Sequence, residues 1–90
     1  MTDNSIYRQE AEQVRSDYFE GKITLNTLVQ IFERYVRARE LENAPDSEKL
    51  RSAWFQIEIV NAINFDEPDK VTKNEPHARE FIREFLEILP

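Results

Sequence analysis

A chain of 90 residues has room for one domain, residues 1–90, built around a single core. Hydrophobic residues make up 40% of the chain, which is too large a share for a disordered protein. The formal net charge of −6 argues against binding to nucleic acid or to an anionic membrane surface, because both require an excess of basic residues.

The chain contains no cysteine, which excludes disulfides, thiolate metal sites and a thiol nucleophile. The segment Met1–Ser5 is polar and acidic and lacks the basic and apolar regions of a signal peptide. No run approaches the roughly 20 apolar residues of a membrane span. These features predict a cytoplasmic protein.

The first half of the chain predicts two helices joined by a short link. The first helix is expected from about Ser5 to Glu20, and Gly21 follows it where a left-handed C-cap is favoured. Thr24 can cap the second helix, which continues to about Glu42. Candidate N-caps of the first helix are Asp3, Asn4 and Ser5. Apolar residues recur at helical spacing, namely Tyr7, Ala11, Val14 and Tyr18 in the first helix and Leu25, Leu28, Ile31, Phe32, Tyr35 and Val36 in the second.

The second half predicts two further helices. Asp46 or Ser47 can cap the third, whose apolar positions are Leu50, Ala53, Trp54, Ile57, Val60 and Ala62 or Ile63. Its segment FQIEIV alternates like a strand, but the surrounding helical pattern and the absence of a strand partner favour a helix. The apolar run from Ala53 to Phe65 predicts that this is the most buried helix.

The last helix is expected after an irregular connection, Phe65 to Asn74, with Thr72 or Asn74 as N-cap and Pro76 in its first turn. Its apolar positions are Ala78, Phe81, Ile82, Phe85, Ile88 and Leu89. Four amphipathic helices with short links predict an all-α fold, an antiparallel four-helix bundle. A three-helix core with a loosely attached first helix is the structural alternative.

The sequence offers little for catalysis. His77 is the only histidine, and among charged residues near a helix start it is expected on the surface. A single His-x-x-Glu pattern falls short of a bundle metal site, and one glycine cannot form a phosphate-binding loop. Glu58 interrupts an apolar helix and is expected at its solvent edge, with Asn61 and Asn64 continuing a polar stripe. We therefore expect no enzyme activity, no cofactor and no metal.

Two runs of acidic residues indicate more about function than the candidate catalytic residues do. The first consists of Glu40, Glu42, Asp46 and Glu48, and the second of Asp66, Glu67 and Asp69; neither contains an internal lysine or arginine. The second surrounds Pro68, which disfavours helix at Glu67 and stiffens the turn. Carboxylates on a stiff turn can meet a basic protein surface. A calcium site is the alternative, but D-E-P-D lacks the spacing and glycine of an EF-hand loop.

The segments YFEGKITLNTLVQIFERY, NFDEPDK and EFIREFLEIL together resemble the colicin D immunity protein family, small acidic four-helix bundles that block a tRNA-cleaving bacterial toxin domain. The chain departs from that family by one extra residue before Glu67-Pro68-Asp69 and by Asn64 where an acid is expected. The resemblance implies an immunity-type inhibitor that contacts a basic nuclease domain through Glu67 and Asp69, with Asp66 as a helper. At the rim of this contact we expect either Glu58 or the run from Glu40 to Glu48.

The alternative is a small helical adaptor or a homodimeric interaction module with no toxin partner. Exposed apolar residues such as Phe19 or Leu41 would then matter more than the acids. The oligomeric state is left open by the sequence.

Overall fold

In the computed structural model, residues 5–89 are described, with side chains described from residue 7. The described part contains four α-helices and no strand: α1 (Ser5–Phe19), α2 (Leu25–Leu41), α3 (Ser47–Asp66) and α4 (Val71–Ile88), with a 3₁₀ turn at Pro68–Lys70. The all-α prediction is confirmed, and FQIEIV lies inside α3. The proposed caps Asp3 and Asn4 lie outside the described residues.

The helix ends follow the chemistry of their capping residues. Gly21 has a φ of +76°, and the N–H of Lys22 donates to the carbonyl of Asp17 at 2.8 Å, so α1 ends as predicted in a left-handed cap. Thr24 accepts from the Thr27 N–H at 3.1 Å, which confirms it as the N-cap of α2. Asn43, at a φ of +52°, ends α2 with the same left-handed backbone as Gly21 at the end of α1, although this role was not predicted.

All four helices pack against one another around one apolar core. The helix α2 contacts α1 and α3, while α4 contacts α1 and α3, so each helix has two helical neighbours. Phe32 and Phe85 stack at the centre, with ring centroids 4.5 Å apart and planes inclined by 12°. The core side chains are Ala11, Leu25, Leu28, Val29, Phe32, Tyr35, Val36, Leu50, Ala53, Ile57, Val60, Ala78, Ile82, Phe85, Leu86 and Leu89. Most predicted apolar positions are therefore buried, and Val29 and Leu86 join them.

Polar side chains fix α1 to the other helices at both of its ends. Arg8 donates to the carbonyl of Leu86 at 2.6 Å, which satisfies one of the free carbonyls at the end of α4. At the other end, the Tyr18 hydroxyl donates to Glu75 at 2.6 Å. The alternative of a three-helix core with a loosely attached first helix is therefore wrong.

The connection between α3 and α4 is shorter than predicted. Only Glu67 stands between the end of α3 and the 3₁₀ turn, and α4 begins directly after that turn at Val71. Pro76 therefore lies inside α4 and not in its first turn. A proline at this point leaves one carbonyl of the preceding turn without its intrahelical donor, and that turn is exposed to water at Thr72.

The helix α3 is not the most buried one, contrary to the prediction. Among the described residues seven large apolar side chains are exposed, and four of them belong to α3. These are Phe55, Ile59, Ile63 and Phe65, and the predicted core candidate Ala62 is exposed as well. The run is apolar because both the inner and the outer face of α3 carry apolar residues.

Candidate partner-binding surface

The acidic turn, Asp66–Asp69, forms at one end of α3 because proline stops the helix there. Asp66 is the last residue of α3, and Glu67 adopts φ −130° and ψ 75°, outside the helical region as expected before Pro68. Pro68 then starts the 3₁₀ turn, which the Lys70 N–H closes by donating to the Glu67 carbonyl at 2.9 Å. The acidic turn therefore connects the end of α3 directly to the start of α4.

The charges of the acidic turn are not all available to a partner. Asp66 and Asp69 are exposed, and no ion pair among the described residues involves either of them. Glu67 differs, because its carboxylate lies 2.9 Å from the ammonium of Lys70. The expectation of an unneutralised run thus holds for the two aspartates, and Glu67 already has a cationic neighbour.

The other acidic run is largely neutralised within the protein. Glu40 accepts from Arg51 at 2.7 and 3.0 Å, and the pKa of Glu40 is lowered by this hydrogen-bonded arginine. Arg39 is only 8% exposed and pairs with Asp46 at 3.1 Å and with Glu42 at 3.4 Å. This buried arginine, which was not predicted, ties the end of α2 to the start of α3.

The predicted polar stripe of α3 is divided among different surroundings. Glu58 is half-buried, as expected for the solvent edge of its helix. Asn61 donates to Asn26 of α2 at 3.0 Å. Asn64 accepts from Asn74 of α4 at 2.9 Å. The two asparagines therefore join helices and do not form a solvated stripe with Glu58.

Apolar side chains lie beside the acidic turn, and the sequence analysis did not assign them a role. Phe65 directly precedes Asp66 and is 85% exposed, and Val71 on the other side of the turn is 43% exposed. Both line a shallow depression together with Tyr18 and Leu25. The exposure of Phe65 could have been predicted from the sequence, since Phe65 falls outside the helical spacing of the core residues of α3.

A second apolar surface extends along the outer face of α3, which we call the α3 stripe. It comprises Glu48, Ser52, Phe55, Ile59, Ala62 and Asp66, all exposed and spaced alternately by four and three residues. Between Ser52 and Phe65 the only charged residue is Glu58. Such spacing gives a straight seam on one side of a helix. In a protein with 33% charged residues, the stripe thus carries charge only at its two ends, at Glu48 and Asp66.

The remaining candidates for chemistry are isolated. His77 is exposed on α4, as predicted. Among residues 5–89 no group of three or more histidine, aspartate or glutamate side chains is arranged to hold a metal ion. No helix in that part of the chain combines the length and the apolarity required to cross a membrane.

No family model, curated protein or solved structure matches the chain.

Proposed function

We propose that this protein is an immunity-type inhibitor, which binds a basic, tRNA-cleaving toxin domain through the acidic turn and blocks its substrate surface. The scaffold we propose is an antiparallel four-helix bundle, since Arg8 meets Leu86 and Tyr18 meets Glu75 along the α1–α4 pair. The resemblance to the colicin D immunity family supports the same function.

The observation that carries the proposal is the pairing of free carboxylates with an exposed aromatic residue at one end of the molecule. Asp66 and Asp69 are exposed without an ion-pair partner among the described residues, next to Phe65 at 85% exposure. A few residues carry most of the affinity of a protein interface, and aromatic side chains and arginine are the most frequent among them. Charge complementarity increases the rate of association and selects the partner.

The mechanism follows from the chemistry of a nuclease surface. A domain that holds RNA presents lysine and arginine to phosphates. Carboxylates held on a stiff turn can occupy those positions, while Phe65 supplies apolar area that water would otherwise cover. The inhibitor then excludes the substrate by occupying its surface and performs no chemistry.

The test is inhibition of tRNA cleavage by a colicin D-type nuclease domain, titrated with wild type and with Asp66→Lys/Asp69→Lys. The expected result is inhibition by the wild type and a loss of at least about a hundredfold in potency for the double variant, as two interfacial charge pairs become repulsive. Glu12→Lys/Glu84→Lys, on α1 and α4, is the matched control because it changes the net charge equally. Equal potency of the two double variants would refute a role for the acidic turn.

The second candidate function, a helical adaptor or homodimeric interaction module, is favoured by the α3 stripe. Phe19 and Leu41, which were its proposed contacts, are less suitable than the stripe. Arg79 covers Phe19 at 4.2 Å from the ring centroid. Leu41 is 86% exposed, but no other large apolar side chain of α2 is exposed among the described residues. Salt-insensitive self-association through α3 would support this second function.

A further inference from the structure

The depression beside the acidic turn is a site to which all four helices contribute. Its apolar lining consists of Tyr18, Leu25, Phe65 and Val71, one residue from each of α1, α2, α3 and α4. None of the described residues that line it is charged. We infer that this depression receives one apolar side chain of leucine or phenylalanine size, flanked by lysine or arginine, from the partner protein. The identity of that partner as a toxin domain rests on the proposed function.

The volume of the depression fits a single large apolar side chain. An apolar cavity of about 150 Å³ is large enough to hold benzene. The depression has a volume of about 260 Å³, which leaves room for a leucine or phenylalanine side chain and its Cβ. Phe65 and Val71 expose 85% and 43% of their surface beside it, so a bound side chain would remove their apolar surface from water as well as its own.

The polar part of the lining is held by hydrogen bonds between helices. Asn61 of α3 donates to Asn26 of α2 at 3.0 Å, and Asn64 of α3 accepts from Asn74 of α4 at 2.9 Å. Asn26, Asn61 and Asn64 all line the depression. These bonds fix side chains of its lining before a partner arrives. A site that is already ordered loses less conformational entropy when it binds.

The acidic turn determines which residues can stand next to the bound side chain. Phe65 directly precedes Asp66, and Val71 follows Asp69 by two residues, so the lining continues into the two exposed carboxylates. A lysine or arginine of the partner beside its apolar side chain would pair with these carboxylates. An acidic residue at the same place would be repelled. The charges therefore favour an apolar side chain with basic neighbours.

The depression supplies a selectivity that the carboxylates alone lack. Every surface that holds RNA presents lysine and arginine, so the charge of the acidic turn favours association with many such domains. A single side chain that fits a preformed depression is a requirement of shape, and interface contacts of this kind act mostly on the dissociation rate. We therefore expect the acidic turn to set the association rate and the depression to set the lifetime of the complex.

The first test is the binding kinetics of the full chain with a colicin D-type nuclease domain. Val71→Trp places an indole in the depression, and it should raise the dissociation rate constant at least about tenfold while the association rate constant stays within about twofold. Leu41→Trp is the matched control, because it makes the same aliphatic-to-tryptophan change at an 86% exposed position of α2. It should keep both rate constants, and thermal unfolding should show that both variants are folded.

The outcomes separate the depression from the acidic turn. A dissociation rate constant of Val71→Trp equal to that of the wild type would overturn the inference and leave the proposed function standing, since Asp66→Lys/Asp69→Lys reports on the carboxylates alone. A wild type that does not bind the nuclease domain would contradict the proposed function. The depression is then decided by a second test, which uses no toxin.

The second test is a nuclear magnetic resonance titration of the full chain with two short peptides of equal charge. Acetyl-Lys-Leu-Lys-amide at millimolar concentration should shift the backbone amide signals of Asn61, Phe65 and Val71, and acetyl-Lys-Ser-Lys-amide should shift them much less. Val71→Trp should remove this difference between the peptides. Equal responses of the wild type to the two peptides, including no response to either, would overturn the inference.

Discussion

Two phenylalanines, Phe85 and Phe65, provide a matched test of the assigned core and of the assigned surface. Phe85 is 0% exposed and stacks on Phe32, whereas Phe65 is 85% exposed beside the acidic turn. The same change, Phe→Ala, therefore removes a central core group in one case and a surface group in the other. The two variants lose the same atoms, so any difference in stability comes from burial.

The expected magnitudes differ widely. Phe85→Ala removes a fully buried ring and leaves a cavity, at a cost of about 3–5 kcal/mol in the free energy of unfolding. For a domain of this size each kcal/mol shifts the midpoint by about 4–8 °C, so Tm should fall by at least about 12 °C. Phe65→Ala should change stability by no more than about 0.5 kcal/mol, since little of its ring leaves water on folding.

The assay is thermal and urea unfolding followed by circular dichroism, with the fluorescence of Trp54 as a second probe. Coincident transitions by the two probes establish that unfolding is two-state, which the comparison requires. A loss below about 1 kcal/mol for Phe85→Ala would show that the core is assigned wrongly. A comparable loss for Phe65→Ala would show that Phe65 is buried and unavailable to a partner.

Three further predictions concern polar groups of the fold. The indole N–H of Trp54 donates to the Val29 carbonyl at 2.8 Å. Trp54→Phe should therefore lower the free energy of unfolding by about 1 kcal/mol in urea denaturation, and an unchanged midpoint would contradict this hydrogen bond. Arg39→Ala should lower the free energy of unfolding by about 1–3 kcal/mol, because it leaves Asp46 without its cation. Arg37→Ala removes a side chain that is 69% exposed and should lower the same free energy, measured by urea unfolding, by at most about 0.5 kcal/mol. Burial, followed by the nearby Glu10, raises the pKa of Tyr35 to about 12 from an ordinary 10.0. The unfolded chain therefore loses the Tyr35 proton at a lower pH than the folded protein. The free energy of unfolding should consequently fall as pH rises from 10.0 towards 12. Tyr35→Phe should show a smaller loss in that window by alkaline denaturation, and an equal loss would contradict the shift.

The helices were predictable because their signals are local. Apolar spacing defined all four, and Gly21 and Thr24 ended or began helices as their backbone chemistry requires. The start of α4 was not predictable in this way. Pro76 was expected in the first turn, but Glu67 alone separates α3 from the 3₁₀ turn and α4 begins earlier. A proline that is tolerated one turn inside a helix gives the same sequence signal as one at its start.

The surface was predictable only in part, because ion pairing depends on residues that are distant in the chain. The acidic turn was identified from sequence, and Asp66 and Asp69 are exposed as expected. The acids Glu40 and Asp46 looked equally available, yet Arg51 and Arg39 pair with them. The apolar run from Ala53 to Phe65 led to the wrong prediction that α3 is the most buried helix, since apolar content alone does not distinguish a buried helix from one with two apolar faces.

We propose above that the exposed carboxylates of the acidic turn guide a basic protein partner to this end of the molecule. The most direct measurement is the association rate constant of the wild type with a colicin D-type nuclease domain, recorded at increasing salt concentration. We expect the association rate constant to fall at least about tenfold from low to high salt while the dissociation rate constant changes little. An association rate indifferent to salt, or no binding at any salt concentration, would contradict it.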